Sequence, residues 1–254
     1  MSGRLAGRVA AITGSSRGIG RAVAEAYVRE GASVVVNSRE QRSADAVAEE
    51  IGGGAVGVGA DVATEEGATA LVKGTIDAFG RLDVMVNNAG MSVAADTRDL
   101  RVDVWRKVVD LNMTAVFLCS REAARHMLEA GGGAIINTAS VQAFAPFPRR
   151  LAYGSTKAAV VMMTRIMAAE WAPTVRVNAV APGYVRTAMT EKLRAEGRID
   201  FEAIKRRTPQ RRIAEPADLA GAYVYLASED ASFVTGETIV VDGGWLAFGA
   251  FEGV

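Results

Sequence analysis

Arg8-Val9-Ala10-Ala11-Ile12-Thr13 runs without a break into Gly14-Ser15-Ser16-Arg17-Gly18-Ile19-Gly20. The first six residues read as a buried strand. Beyond the turn, Ala22, Val23, Ala26 and Tyr27 set out a helix that Gly31 closes as a C-cap. Strand, glycine-rich turn and helix in immediate succession leave few folds open. Glycines let a backbone approach a pyrophosphate, and the helix N-terminus adds N–H donors and positive dipole. The spacing here is Gly-x-x-x-Gly-x-Gly, not the Gly-x-Gly-x-x-Gly of the common dinucleotide fingerprint. The turn is therefore either a phosphate cradle or a plain βα connection, and the rest of the chain must decide.

Strands and helices go on alternating. Strands are expected at residues 33–37, 55–59, 82–86, 134–138, 175–180 and 238–242. Helices are expected at about 41–51, 65–79, 102–128, 153–171 and 216–228. This order argues for an α/β fold with one doubly wound, Rossmann-type parallel sheet flanked by helices. Half of the 254 residues are hydrophobic and only 6% aromatic, so Ala, Val, Ile and Leu build the core, as suits strands covered on both faces. No linker, repeat or low-complexity tract divides the chain, and residues 1–254 are expected to form a single domain. The stretch 188–212 is charged and weakly periodic, which suggests a lid over about 184–212.

Acidic and basic residues balance at 29 each, with no basic block, which argues against nucleic acid or an anionic membrane as partner. Met1 to Gly7 lack a signal-peptide core, and no run of about 18 apolar residues occurs. A soluble, cytoplasmic protein is expected. The single cysteine, Cys119, excludes an intrachain disulfide and reads as a small buried hydrophobe. The single histidine, His126, reads as a helix-surface residue, and no metal is expected.

Two groups carry chemistry. Ser140 follows the Ala134–Thr138 strand, and Tyr153-Gly154-Ser155-Thr156-Lys157 opens an apolar helix. At i and i+4 the phenol and the ammonium share a helix face. A phenol titrates near 10, and the ammonium is expected to lower that value towards the working range. The plain alternative is a solvated helix edge. The second group stands at strand ends. Ser38 and Arg39 occupy the place where dinucleotide folds choose a coenzyme, an acidic residue suiting ribose hydroxyls and a basic one a 2′-phosphate. Asn37 and Ser38 offer hydrogen bonds there; Glu40, at a helix start, is expected to face solvent. Asn87-Asn88-Ala89-Gly90 either holds the sheet edge or contacts a ligand, and Ala181 to Thr187 is a ligand-loop candidate. Asn112, a poor mid-helix residue, either kinks its helix or serves a site.

In this order and spacing the motifs resemble the short-chain dehydrogenase/reductase family over nearly the whole chain, from about Leu5 to Gly244. The likeness rests on Thr13-Gly14-x-x-x-Gly18-x-Gly20, Asn87-Asn88-Ala89-Gly90, Asn112, Ser140, Tyr153-x-x-x-Lys157 and Pro182-Gly183. It extends broadly to 3-oxoacyl-acyl carrier protein reductases and gluconate 5-dehydrogenases, which the motifs do not separate. The short connection Ala172-Pro173-Thr174 departs from relatives that have a longer one. The resemblance implies a seven-stranded sheet of order 3-2-1-4-5-6-7 and hydride transfer between a secondary alcohol and a ketone. Tyr153 would be the general acid-base and Ser140 would hold the substrate oxygen. Lys157 would bind the nicotinamide ribose, and Asn112 a water leading to Lys157. Coenzyme contacts are implied at Gly14, Ser16, Arg17, Gly18, Ile19, Gly20, Ser38, Arg39, Asp61, Val62, Asn88, Ala89, Gly90, Tyr153, Lys157, Pro182, Gly183, Val185 and Thr187. With no carboxylate ending the second strand, NADP is expected over NAD.

A same-fold epimerase or dehydratase, and a dinucleotide-sensing protein without turnover, are the alternatives. The partner is expected to be a small carbonyl or alcohol substrate. A homotetramer is expected, from the resemblance and from Trp245, Leu246, Phe248 and Phe251, which crowd the tail with apolar side chains. The other reading of the tail is that it folds back over its own subunit. Arg149 and Arg150, between Ser140 and Tyr153, are either solvated loop residues or a partner for an anionic substrate group.

Overall fold

A computed structural model of the chain describes residues 3–249. Seven strands form one parallel sheet in the order β3-β2-β1-β4-β5-β6-β7. They are β1 Val9–Ile12, β2 Ser33–Ser38, β3 Val56–Gly59, β4 Val84–Asn87, β5 Gly133–Thr138, β6 Val175–Pro182 and β7 Thr238–Val241. Register is regular: Val9 lies beside Ser33 and Ala10 beside Val84. β1 and β4 are buried at every position, as befits central strands with helices on both faces.

The period-two alternation of β1 divides the core. Ala10 and Ile12 point to one face, where α1 (Gly18–Arg29) and α9 (Pro216–Ala227) cover them with Val23, Tyr27, Leu219 and Tyr223. Ala11, with Val35, Met85 and Ile135, points to the other, under α3 (Glu65–Phe79) and α5 (Ala115–Ala130). Cys119 sits in this second cluster, fully buried, and burial pushes its thiol up to about 12. His126 is exposed on α5. The helix α2 (Gln41–Ile51) connects β2 to β3, and α6 (Leu151–Trp171) packs against β6 and carries Tyr153 and Lys157. Among the described residues no helix is long and apolar enough to cross a membrane.

Three elements differ from the sequence expectation. The single helix over 102–128 is α4 (Val102–Val109), a π-helical turn Asp110–Thr114, and α5. The break falls on Asn112, whose amide bonds away from the helix. The charged stretch after Thr187 holds two short helices, α7 (Ala188–Ala195) and α8 (Phe201–Arg207). Phe201 and Ile204 give α8 a small core of its own with Ile213, which explains order in so polar a segment. β6 runs on to Pro182, because β7 pairs with it along that edge.

Candidate active site

All seven strands end on one edge of the sheet, and strand order reverses between β1 and β4. That switch point is where open α/β sheets bind ligands. Here the turn 14–20 is held by side chains from its neighbours. Gly14 N donates to Asn37 Oδ1 at 3.1 Å and Ser15 N to the Asn37 carbonyl at 3.0 Å. Asn88 Nδ2 donates to the carbonyls of Thr13 and Gly14, while Thr13 Oγ1 accepts from the amides of Asn88 and Ala89. Asn37 Nδ2 is committed to the carbonyls of Ser38, Val58 and Ala60. Asn37 thus builds the cradle instead of offering its amide to a ligand, which corrects the expectation for that residue. The amides of Asn87 and Asn88 hold the sheet edge, Asn87 Nδ2 donating to Ser120 Oγ and Asn137 Oδ1.

The cradle fits a dinucleotide. Gly14 and Gly18 take left-handed backbone angles, φ +59 and +58, that favour glycine. A Cβ on Gly20 would stand 2.5 Å from Asn88 Nδ2 and 2.8 Å from the Gly14 carbonyl oxygen, so only glycine lets α1 approach this closely. Arg17 precedes α1 in extended conformation without a side-chain cap, and the first turn has no acidic residue. The amides of Gly18, Ile19 and Gly20 have no acceptor among the described residues, leaving a helix N-terminus open to an anion. Thr187 stands across the turn, its Cγ2 3.5 Å from where a Gly18 Cβ would lie.

The other coenzyme candidates line up along the same edge. Ser16, in the turn, is half-buried and Arg17 is exposed; at the end of β2, Ser38 is half-buried and Arg39 and Glu40 are exposed. Asp61 caps the turn after β3 by accepting from Ala63 N, and Val62 packs into the core. A Cβ on Gly90 would crowd Asn112 Oδ1 at 3.3 Å and Lys157 Nζ at 3.7 Å. Gly183 is pressed against Asp242, and Val185 is buried beside Ala214.

Ser140, Tyr153 and Lys157 are brought together where β5 ends against α6. Lys157 Nζ donates to the Thr138 carbonyl at 2.6 Å and lies 5.7 Å from the Tyr153 ring centroid. Only 3% of Lys157 is exposed, and burial lowers its pKa to about 8. Burial holds the Tyr153 phenol above its ordinary value; the facing Ser140 hydroxyl and the Arg150 charge pull the other way without prevailing. The lowered phenol expected from the sequence is not found. The reason is geometric: the ammonium lies over the ring and bonds to Thr138, while enclosure penalises the phenolate. Thr138, which sequence reasoning missed, also bonds through its hydroxyl to Tyr223 Oη at 2.8 Å.

Asn112 is fully buried. Its Oδ1 accepts from Met91 N at 2.8 Å, and its Nδ2 donates to the Met91 carbonyl and to Thr156 Oγ1. It clasps the loop after β4 to α6 beside Lys157. An open cleft of about 140 Å³ is lined by Ser140 and Tyr153. Ser92, Gln142, Arg150 and Tyr184 line its sides, and Met189, Leu193 and Ile199 face it from the segment after β6. Apart from Arg150, these wall residues carry no motif that the sequence could have shown. A second cleft of about 360 Å³ lies beyond Tyr184, between β7 and the turn 208–214, away from Tyr153.

A family model described as enoyl-(acyl carrier protein) reductase matches residues 14–246. The chain is 41% identical to a 3-oxoacyl-[acyl-carrier-protein] reductase from Synechocystis, over 96% of this chain and 99% of that protein. It is 39% identical to an NADP-dependent (R)-specific alcohol dehydrogenase from Lentilactobacillus kefiri, over 97% of this chain and all of that one, covered to 100%. A crystal structure of gluconate 5-dehydrogenase from Burkholderia cenocepacia, in complex with NADP and tartrate, superposes with a TM-score of 0.91 at 36% identity, covering 96% of this chain and 97% of that one. The chain belongs to the short-chain dehydrogenase/reductase family and is an NAD(P)-dependent oxidoreductase that interconverts alcohols and ketones.

Proposed function

We propose that this enzyme is a cytoplasmic, NADP(H)-preferring oxidoreductase of a small secondary alcohol and its ketone, with Tyr153 as general acid-base. The observation that carries the reading is the meeting of Ser140, Tyr153 and Lys157 at one edge of the cleft, beside an uncapped helix N-terminus. Nicotinamide, when bound, supplies or accepts the hydride. Tyr153 delivers the proton to the carbonyl oxygen, and Ser140 donates a hydrogen bond to that oxygen as charge grows on it. Lys157 holds a positive charge beneath the tyrosine and is placed to bind the nicotinamide ribose. Asn112 fixes the loop after β4, so that Met91 and Lys157 keep their places. Residues 1–254 act as a single coenzyme-binding and catalytic domain, with 184–212 as its lid.

The NADP preference rests on Ser38 and Arg39. No carboxylate ends β2, and neither Arg17 nor Arg39 has an ion-pair or hydrogen-bond partner for its side chain among the described residues. Two exposed, unpaired guanidinium groups are thus available to a 2′-phosphate, one from the glycine-rich turn and one from the end of β2. The L. kefiri relative is named NADP-dependent and the B. cenocepacia structure holds NADP, which supports the same choice.

Two variants test this. Tyr153→Phe keeps the ring and is expected to lower turnover at least a hundredfold while coenzyme affinity, read by fluorescence, stays within about threefold. Retention of more than a tenth of the rate would remove Tyr153 from the acid-base role. Ser38→Asp is expected to reverse the NADPH:NADH ratio of kcat/KM by roughly ten- to a hundredfold. A wild type that prefers NADH would refute the coenzyme assignment.

A further inference from the structure

Two arginines precede α6, and the backbone sends them in opposite directions. Arg149 is exposed and takes a left-handed φ of +66, uncommon for a residue with a side chain. That turn is locked from outside, because Ala95 N donates to the Arg149 carbonyl at 3.0 Å. Its effect is to turn Arg150 into the cleft, where Nη1 donates to Ser92 Oγ at 3.2 Å. Arg150 is half-buried and stands three residues before Tyr153, one helical turn away on the same face.

The surroundings do not neutralise it. Among the described residues its side chain makes that one hydrogen bond and no ion pair. A guanidinium has five N–H donors, so most of the fork stays available. No Asp or Glu lines the cleft. Burial works against the charge of Arg150, and Arg198 and Arg149 add to that, with Tyr184 and Tyr153 opposing. A half-buried guanidinium without a carboxylate is costly to keep unless something arrives to meet it. The wall formed by Met189, Leu193 and Ile199 offers no such group.

We propose that Arg150, oriented by Ser92, is the anchor for a carboxylate on the substrate, and that this enzyme acts on short oxo or hydroxy acids. The proposal rests on the oxidoreductase reading of the same cleft. The carboxylate would lie in two-point fashion on the Arg150 fork, and the carbonyl carbon a few bonds away beside Tyr153 and Ser140. Arg149 takes no part in holding it.

The test separates binding from turnover. The full-length protein, saturated with NADP, is titrated calorimetrically with acetoacetate and levulinate, each beside its neutral methyl ester. At least one acid is expected to bind tenfold or more tighter than its ester. Arg150→Gln is expected to weaken that acid by roughly ten- to a hundredfold while ester affinity stays within about twofold, and Arg150→Lys to recover part of the loss. Circular dichroism of each variant establishes that the fold is kept. Acids binding no better than esters to the wild type, or Arg150→Gln weakening both alike, would overturn the anchor. NADPH oxidation with acid and ester at equal kcat/KM would also overturn it and leave the reductase intact. Arg150-dependent binding of the acids without any NADPH oxidation would support the anchor and remove the reductase.

Discussion

Lys157 is an ammonium enclosed by protein, with a carbonyl for its one hydrogen bond and a pKa of about 8 in place of 10.5. Because the folded value lies below the unfolded one, the unfolded chain binds the proton more tightly between pH 8 and 10.5. Stability contributed by this site therefore rises with pH through that window, and the penalty is complete below pH 8. Lys157→Met should abolish activity and yet raise stability at pH 7 by on the order of 2 kcal/mol after allowance for the lost hydrogen bond, seen as a higher melting temperature. The gain should shrink by pH 10, and differential scanning calorimetry at the two pH values checks it. A variant equally destabilised at both would show that the buried charge is not strained. That Ser140, Tyr153 and Lys157 would meet was legible in the sequence from residue type and spacing. Their proton affinities were not, since those depend on which groups the fold places around each, and here burial outweighs the ammonium's pull on the phenol.

The π-helical turn Asp110–Thr114 between α4 and α5 buries Asn112. It opens the helix just where Asn112 reaches across to both the amide and the carbonyl of Met91. Asn112→Ala would leave those two groups without partners in a partly buried setting. A loss of about 1–3 kcal/mol follows, or roughly 3–10 °C in melting temperature, with a fall in kcat because Met91 and Thr156 lose their common tie. A melting temperature within a degree of the wild type would show the clasp to be dispensable. The loop before α6 gives a contrasting case. Arg149→Gly relieves the left-handed backbone and should leave kcat/KM within about twofold, unlike any change at Arg150. Alternation of strands and helices was plain from apolar periodicity, so the sheet could be read ahead. The π turn could not, because Asn112 announces a break in propensity but not which backbone it will bond. Order in α8 was equally hidden, since its core of Phe201, Ile204 and Ile213 is assembled from residues spaced along a charged segment.

Among the described residues, large apolar side chains are left exposed in several places, two of them far apart in the fold. Phe117 on α5 and Met162 and Ile166 on α6 are each about half exposed, at 46%, 53% and 49%. On the edge strand β7 and before it, Val240 and Phe233 are exposed as well. Two separate patches on one chain suit an assembly with two kinds of two-fold interface, a homotetramer. Light scattering at micromolar concentration should give about four chain masses. Met162→Glu combined with Ile166→Glu should reduce that to two while the circular dichroism spectrum is kept, and a monomeric wild type would end the idea. The tail argument for assembly is weakened. Trp245 stacks on Phe147 of its own chain, with centroids 5.0 Å apart, and Arg207 lies over both Trp245 and Phe248. Phe251 lies outside the described residues. The sequence showed that the tail was apolar, but its target, a loop about a hundred residues earlier in the chain, depends on how β5 and β7 exit the same edge.

That stacking has a consequence for how the protein is made. From β5 onward each new strand joins the free edge of the strand synthesised just before it. By the time the ribosome reaches Val241, the cradle, Ser140, Tyr153 and Lys157 have all been polymerised. Trp245 has not, and it is the brace behind the loop that carries Arg150. A message cut short after the seventh strand would encode every residue proposed to handle the coenzyme and the proton. It would omit Trp245, a support of the loop before Arg150 that acts alongside Ser92 and Ala95.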